Sequence, residues 1–239
     1  MDIKIAGLQK MTLLDYPGKL ACIVFLPGCN FRCPFCHNSD LLPGSAESQL
    51  TYEELMTFLK KRQGMLEGVC VTGGEPTLQP KLGELLGAVK AMGYSVKLDT
   101  NGSRPAVLKS LVEQKLVDYV AMDVKNSPAR YSQTIGASQD LLPAITESLR
   151  FLLEGGVDYE LRTTVVDELH DEESVAQMGQ WVAGIVPGVK AKRFFLQPFA
   201  DRQSVLTQGL HTPTKEKLTA FTELLAPFAE VVELRGTEG

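Results

Sequence analysis

The chain has 239 residues, of which 44% are hydrophobic and 22% are charged, and its formal net charge is −5. This composition predicts a globular protein with a sizeable core, and the acidic balance argues against a general nucleic-acid surface. No apolar run approaches the roughly 20 residues that cross a bilayer, and residues 1–5 lack the layout of a signal peptide. We therefore expect a cytoplasmic protein that binds neither membranes nor nucleic acid.

Short β-rich runs alternate with amphipathic helical stretches along the chain. Strands are predicted at 21–26, 68–72, 94–98, 117–122, 159–166 and 193–197, and helices at 52–62, 80–92, 106–114, 141–154, 171–186 and 214–225. Six such repeats imply parallel βαβ units in one α/β domain over residues 1–239, with residues 1–19 as a short hairpin packed on the core. The periodicity fits both a doubly wound sheet and a barrel-like sheet, and in either case ligands bind at the C-terminal ends of the strands.

Three of the five cysteines, Cys29, Cys33 and Cys36, fall in one run with the spacing C-x3-C-x2-C. A closed zinc site needs four protein ligands, and a fully protein-held iron–sulfur cluster needs four thiolates. Three soft ligands therefore predict a metal centre with one open position, with iron–sulfur favoured over zinc. The alternatives are a zinc site completed by His37 or a remote ligand, and an incidental cluster of reduced thiols. The other two cysteines lie in apolar stretches and are expected to be buried small hydrophobes.

Polar or glycine-rich residues recur at the C-terminal ends of the predicted strands. Because these ends meet at one edge of a parallel sheet, they predict a single active site. Each run also has a plain structural interpretation: a turn into a helix, an Asn-Gly turn, or an ion pair. A charge within the fifth predicted strand, residues 159–166, needs a partner, for which a ligand carboxylate is one candidate. The runs are Gly73-Gly74-Glu75-Pro76, Asp99-Thr100-Asn101-Gly102 and Asp123-Val124-Lys125, and the charge in the fifth strand is Arg162.

These motifs resemble those of a known family. The cysteine run, with Phe35 before its last cysteine, resembles the signature of the radical S-adenosylmethionine superfamily, and residues 73–76 resemble its second motif. The continuation Cys36-His37-Asn38, together with residues 99–102 and 123–125, is similar to the glycyl-radical-enzyme activating branch. The opening run 12–19, Thr-Leu-Leu-Asp-Tyr-Pro-Gly-Lys, resembles the anaerobic ribonucleoside-triphosphate reductase activating proteins.

The resemblance implies a partial (β/α)6 barrel and a [4Fe-4S] cluster held by Cys29, Cys33 and Cys36. S-adenosylmethionine would bind the fourth iron through its amino and carboxylate groups. Some activases hold a monovalent cation at positions like Asp99, Thr100 and Asp123. The implied cofactor-binding residues are Phe35 at the adenine, Gly73, Gly74 and Glu75 at the methionine end, Asp99 at the amino group, Lys125 and Arg162 at the charged or ribose end, and also Asn101 and Asp123.

The implied activity is reductive cleavage of S-adenosylmethionine with an electron from a flavodoxin-like donor. The resulting 5′-deoxyadenosyl radical would remove an α-hydrogen from a glycine of a partner, anaerobic ribonucleoside-triphosphate reductase. Pyruvate formate-lyase activases have Pro-Tyr-His where this chain has Pro198-Phe199-Ala200, which disfavours that partner. The alternatives are a small-molecule enzyme resembling 7-carboxy-7-deazaguanine synthase, a non-enzymatic iron–sulfur carrier or sensor, and a zinc-stabilised module.

Overall fold

The computed structural model describes residues 3–42, 49–201 and 204–236, and its strands follow one another in chain order in a mixed sheet. β1 is antiparallel to β2, whereas β2 to β4 are parallel to one another, as are β6 to β8. The predicted strand–helix repeats and N-terminal hairpin are therefore confirmed. The strands are β1 (Gly7–Thr12), β2 (Ala21–Leu26), β3 (Gly68–Gly73), β4 (Ser95–Thr100), β5 (Tyr119–Asp123), β6 (Asp158–Val165), β7 (Ala191–Pro198) and β8 (Ala229–Leu234).

Seven α-helices lie in the described part of the chain, and their ends follow local sequence signals. At the start of α1, Thr51 Oγ1 accepts a hydrogen bond from the Glu54 N–H, and Glu54 Oε2 accepts one from the Thr51 N–H, which completes a capping box. No helix among the described residues is long and apolar enough to span a bilayer. The helices are α1 (Tyr52–Arg62), α2 (Leu82–Ala91), α3 (Pro105–Glu113), α4 (Tyr131–Ile135), α5 (Leu142–Leu153), α6 (Glu172–Ile185) and α7 (Lys215–Leu225).

Two elements, α4 and β8, were not predicted from the sequence. The five residues of α4 are too few to display a helical period. Most residues of β8 are exposed or only partly buried, so β8 lacks the apolar run that marks a buried strand. The structure also extends β4 to Thr100 and β5 to Asp123, so these two residues end strands instead of following them.

The chain divides into two compact units. The first unit comprises residues 1–30, 40–100 and 106–120, and the second comprises residues 31–39, 101–105 and 121–239. In the first unit, Tyr16 packs in a buried cluster with Ala21, Ile23, Cys70 and Tyr119. In the second unit, β6 and β7 carry buried residues that include Leu161 and Phe194. The assignment of residues 1–239 to one domain stays a prediction.

Candidate functional site

In the first unit, the glycine-rich turn after β3 approaches the backbone that follows β2 very closely. A Cβ on Gly73 would overlap the Leu26 carbonyl oxygen, and a Cβ on Gly74 would overlap the Gly28 carbonyl oxygen. Gly73 also has a φ of +126°, which L side chains rarely adopt. The N–H groups of Gly74 and Glu75 donate hydrogen bonds to the same two oxygens, at 2.9 and 2.7 Å. The glycines are therefore required by backbone packing next to the start of the cysteine run.

The Glu75 carboxylate is fully buried within the first unit. Its Oε1 accepts hydrogen bonds from the Thr77 N–H at 3.0 Å, from the Thr77 hydroxyl at 2.5 Å and from the Thr100 hydroxyl at 2.9 Å. A buried carboxylate requires such donors, because water cannot solvate it. Through these hydrogen bonds, Glu75 links the turn after β3 to the end of β4.

Asp99 and Asn101, which lie two positions apart in the sequence, have different surroundings. Asp99 lies in β4 and forms an ion pair with Lys97, a buried residue on the same face of the strand. Asn101, in the second unit, is buried, and its Oδ1 accepts a hydrogen bond from the Ser103 N–H at 2.9 Å. The hydrogen bond from Ser103 fits the plain structural interpretation of this run, a turn at Asn101, and Asp99 has a partner within the chain.

Asp123, Lys125 and Arg162 form one charged cluster in the second unit. The Lys125 ammonium lies 2.9 Å from Asp123 Oδ2, and the Arg162 Nε donates to Asp123 Oδ1 at 3.1 Å. The cationic side chains are each 14% exposed and Asp123 is 28% exposed. Burial alone would raise the pKa of Asp123, but the two cations outweigh it and lower the pKa to about 2. Burial alone would lower the pKa of Lys125, but the carboxylate outweighs it and raises that pKa.

Two further residues of the second unit, Phe35 and His170, contact Lys125. The Lys125 ammonium lies 5.9 Å from the centre of the Phe35 ring, within the range of a cation–π contact. His170 is buried, with Nε2 2.9 Å from the Lys125 carbonyl oxygen and Nδ1 3.1 Å from the Val166 nitrogen. A neutral ring protonated at Nε2 satisfies both contacts. No local motif marks His170, because this histidine lies 45 residues along the chain from Lys125, whose carbonyl oxygen it contacts.

The part of the cysteine run in the second unit is a turn held by backbone hydrogen bonds. The Cys36 N–H donates to the Cys33 carbonyl oxygen at 3.1 Å, and the Arg32 N–H donates to the carbonyl oxygen of Ile135 at the end of α4, at 2.7 Å. Cys33 is buried, and Cys36 is half-buried. Phe31, just before the turn, and Phe35, within it, are each 3% exposed. The two aromatic rings and the Cys33 thiol are therefore shielded from water, whereas Cys36 is reachable.

None of the five cysteines forms a disulfide. Cys22 and Cys70 are buried as predicted; burial raises the pKa of the Cys22 thiol to about 12 and also raises that of Cys70. Among the described residues, no three His, Cys, Asp or Glu side chains are grouped so that they could hold a metal ion. The assignment of the three-cysteine run as a ligand set therefore rests on its spacing and its thiol chemistry, which suits iron–sulfur clusters.

The sequence profile of the Radical SAM superfamily matches residues 23–178, a range that contains every predicted site residue. The chain belongs to this superfamily. A Methanocaldococcus jannaschii protein, whose name assigns it to the glycyl-radical enzyme activating enzymes, is 32% identical over 186 residues, covering 76% of each chain. This similarity places the chain in the glycyl-radical-enzyme activating branch.

Two other known proteins share the fold or part of the sequence. A 7-carboxy-7-deazaguanine synthase of Thermococcus kodakarensis is 26% identical over 192 residues, covering 72% of each chain. The crystal structure of a domain of pyruvate-formate lyase-activating enzyme from Bacteroides vulgatus aligns with a TM-score of 0.54 at 20% identity. This alignment covers 69% of this chain and 98% of the domain. The radical SAM type of α/β fold expected from the sequence is thereby confirmed.

Proposed function

We propose that this protein reductively cleaves S-adenosylmethionine and installs a glycyl radical on anaerobic ribonucleoside-triphosphate reductase. The observation that carries the proposal is the C-x3-C-x2-C run at Cys29, Cys33 and Cys36, inside the region that matches the radical SAM superfamily. The relative from M. jannaschii supports a glycyl-radical enzyme as the target. The opening run 12–19 supports the choice of the reductase among such enzymes.

Cys29, Cys33 and Cys36 would hold a [4Fe-4S] cluster, and S-adenosylmethionine would bind the iron that these three thiolates leave open. When bound, the cluster supplies the electron that splits the sulfonium of S-adenosylmethionine into methionine and a 5′-deoxyadenosyl radical. A flavodoxin-like protein is the proposed source of that electron. The buried rings of Phe31 and Phe35 would restrict the access of water to this centre.

In the second unit, Lys125 and Arg162 would bind the carboxylate or ribose end of S-adenosylmethionine, and Phe35 would contact its adenine. Asp123 contacts both cationic side chains and raises the pKa of Lys125. The carboxylate therefore acts on the cofactor through its two neighbours. Because Asp123 already lies between two positive groups, the arrangement disfavours an additional monovalent cation there.

In the first unit, the backbone of Gly73 and Gly74 would receive the amino group of the methionine moiety, and Asp99 would add a negative charge to that end. Glu75 was expected to line the same end. Its three hydrogen bonds from Thr77 and Thr100 favour a role in shaping the turn. Asn101 would likewise act by fixing the turn after β4.

A second candidate function is a reaction on a small molecule, which the similarity to 7-carboxy-7-deazaguanine synthase favours. Electron paramagnetic resonance distinguishes the two. The reduced protein, S-adenosylmethionine and purified anaerobic ribonucleoside-triphosphate reductase should give a glycyl-radical doublet. A reductase variant with its radical glycine changed to alanine should give no signal, and neither should pyruvate formate-lyase. Release of 5′-deoxyadenosine without a doublet on the reductase would refute the proposed target.

A further inference from the structure

The chain that follows β7 packs on the cysteine turn of the second unit. We call residues 199–201 and 204–207 the β7 strap. The Phe199 ring is buried and stacks on the His37 ring, with centroids 5.5 Å apart and planes 15° from parallel. His37 Nε2 lies 2.7 Å from the Ala200 carbonyl oxygen. A carbonyl oxygen only accepts hydrogen bonds, so Nε2 carries the proton and donates it.

The β7 strap also binds the backbone of the turn at two points. The Ser204 hydroxyl donates to the His37 carbonyl oxygen at 2.8 Å, and the Thr207 N–H donates to the Pro34 carbonyl oxygen at 3.0 Å. Pro34 directly follows Cys33, and His37 directly follows Cys36. The strap therefore holds the residue after each of these two cysteines.

The strap is in turn anchored to the sheet. The Phe199 N–H donates to the carbonyl oxygen of Val165, the last residue of β6, at 2.8 Å, and the Thr212 hydroxyl donates to the Phe199 carbonyl oxygen at 2.7 Å. The Ser39 hydroxyl donates to the Ser204 carbonyl oxygen, which adds a contact after the turn. These contacts hold the cysteine turn, which belongs to no helix or strand, against the end of β6.

We propose that the β7 strap is a positioning element for the cluster-binding turn, and that Phe199 and Ser204 set how firmly Cys33 and Cys36 hold the cluster. This inference rests on the proposed function, which makes these cysteines ligands. Residues that orient metal ligands govern metal retention, and the packing around a cluster governs its exposure to water and its reduction potential. Phe199 excludes water from one side of the turn, and Ser204 restrains its backbone.

The test compares strap variants in the full-length protein after anaerobic reconstitution with iron and sulfide. Phe199→Leu removes the ring stack but keeps an apolar side chain, whereas Phe199→Tyr keeps the stack. Ser204→Ala removes one hydroxyl donor without a change in the core. Leu206→Ala is the matched control, because Leu206 lies in the same strap but is 45% exposed. The readouts are iron per chain, the midpoint potential of the cluster, and the rate at which its visible absorption bleaches in air.

We expect Phe199→Leu and Ser204→Ala to bleach faster and to bind iron more weakly, by about tenfold in affinity for Phe199→Leu, the lower end of the effect of losing a supporting contact at a metal site. Their midpoint potentials should shift, while the thermal unfolding of Ser204→Ala without its cluster stays close to that of the parent. Leu206→Ala should behave like the parent, and Phe199→Tyr, which keeps the ring stack, should bleach more slowly than Phe199→Leu. Unchanged bleaching and potential in Ser204→Ala and Phe199→Leu would overturn the role of the strap. Full iron retention by Cys33→Ala would instead refute the ligand assignment of the proposed function.

Discussion

Arg162 donates from Nε to Oδ1 of Asp123 at 3.1 Å, so the charge that the sequence places in a strand has its partner within the chain. The same carboxylate binds Lys125 through Oδ2. One aspartate therefore balances two cations that are each 14% exposed. Removal of its charge would leave two like charges close together in a region with little water.

Asp123→Asn should lower the free energy of unfolding by about 1–3 kcal/mol, less than the loss of a fully buried pair, because Asp123 is 28% exposed. Asp158→Asn is a matched control. Asp158 also contacts one lysine and one arginine, Lys192 at 3.2 Å and Arg193 at 3.7 Å, but it is 50% exposed. Its loss should cost less than about 1 kcal/mol in urea unfolding at pH 7. Equal losses for the two variants would show that the cluster around Asp123 is as solvated as a surface pair.

Thr100→Val should destabilise the first unit, because it removes one donor from the buried Glu75 carboxylate. The expected loss is about 1–2 kcal/mol in the free energy of unfolding. Thr219→Val is the control, since its exposed hydroxyl donates only to the Lys215 carbonyl oxygen one turn earlier in α7, at 2.9 Å. Chemical denaturation of the two variants should separate them. A Thr100→Val protein as stable as the parent would mean that Glu75 does not depend on this contact.

Gly74→Ala should be strongly destabilising, because its Cβ would overlap backbone atoms of Gly28 that cannot move independently. We expect a loss of about 3 kcal/mol or more, as for severe overpacking. Gly184→Ala, at an exposed site in α6 with no atom within 4 Å of the added Cβ, should instead stabilise by up to about 1 kcal/mol. Thermal unfolding of both variants measures the contrast. A Gly74→Ala protein with the parent's melting temperature would contradict the close approach of these two turns.

The buried His170 should make stability fall in weak acid. Burial lowers its pKa below the ordinary value of 6.5, assisted by the charges of Lys217 and Arg130. As the pH falls below 6.5 the unfolded chain takes up this proton before the native protein does, so the free energy of unfolding decreases. His170→Gln should reduce the slope of stability against pH between about 6.5 and 5.

His211 provides a control of opposite sign. The hydrogen bond and charge of Glu168 raise the pKa of His211, so its contribution is fully present below pH 6.5 and is lost as the pH rises through the raised pKa. Because His211 is exposed, this contribution is small. His211→Gln should therefore leave the acid-side loss of stability intact or slightly enlarge it. An acid slope unchanged by His170→Gln would contradict the assignment of His170 as neutral in the native protein.

The sequence predicted the strand–helix repeats because buried strands and amphipathic helices each have a characteristic spacing of apolar residues. It did not predict β8, whose residues are largely exposed, or α4, which is shorter than the repeat that would reveal it. The residue types at the strand ends were also predictable, but their partners were not. Arg162 could have paired with a ligand or with another residue, and the choice of Asp123 depends on contact between strands 39 residues apart. The stack of Phe199 on His37 could not be predicted either, because these two residues lie far apart in the sequence.

The proposed chemistry is tested most directly by cleavage of S-adenosylmethionine in three proteins: the parent, Cys33→Ala and Cys22→Ala. After anaerobic reconstitution the parent and Cys22→Ala should bind about four iron per chain. On reduction, both should release methionine and 5′-deoxyadenosine in equal amounts. Cys33→Ala should lose cleavage, because it removes a proposed ligand, whereas Cys22 is a buried core thiol. Retained cleavage in Cys33→Ala, or a parent that binds zinc tightly and cleaves nothing, would contradict the proposed function.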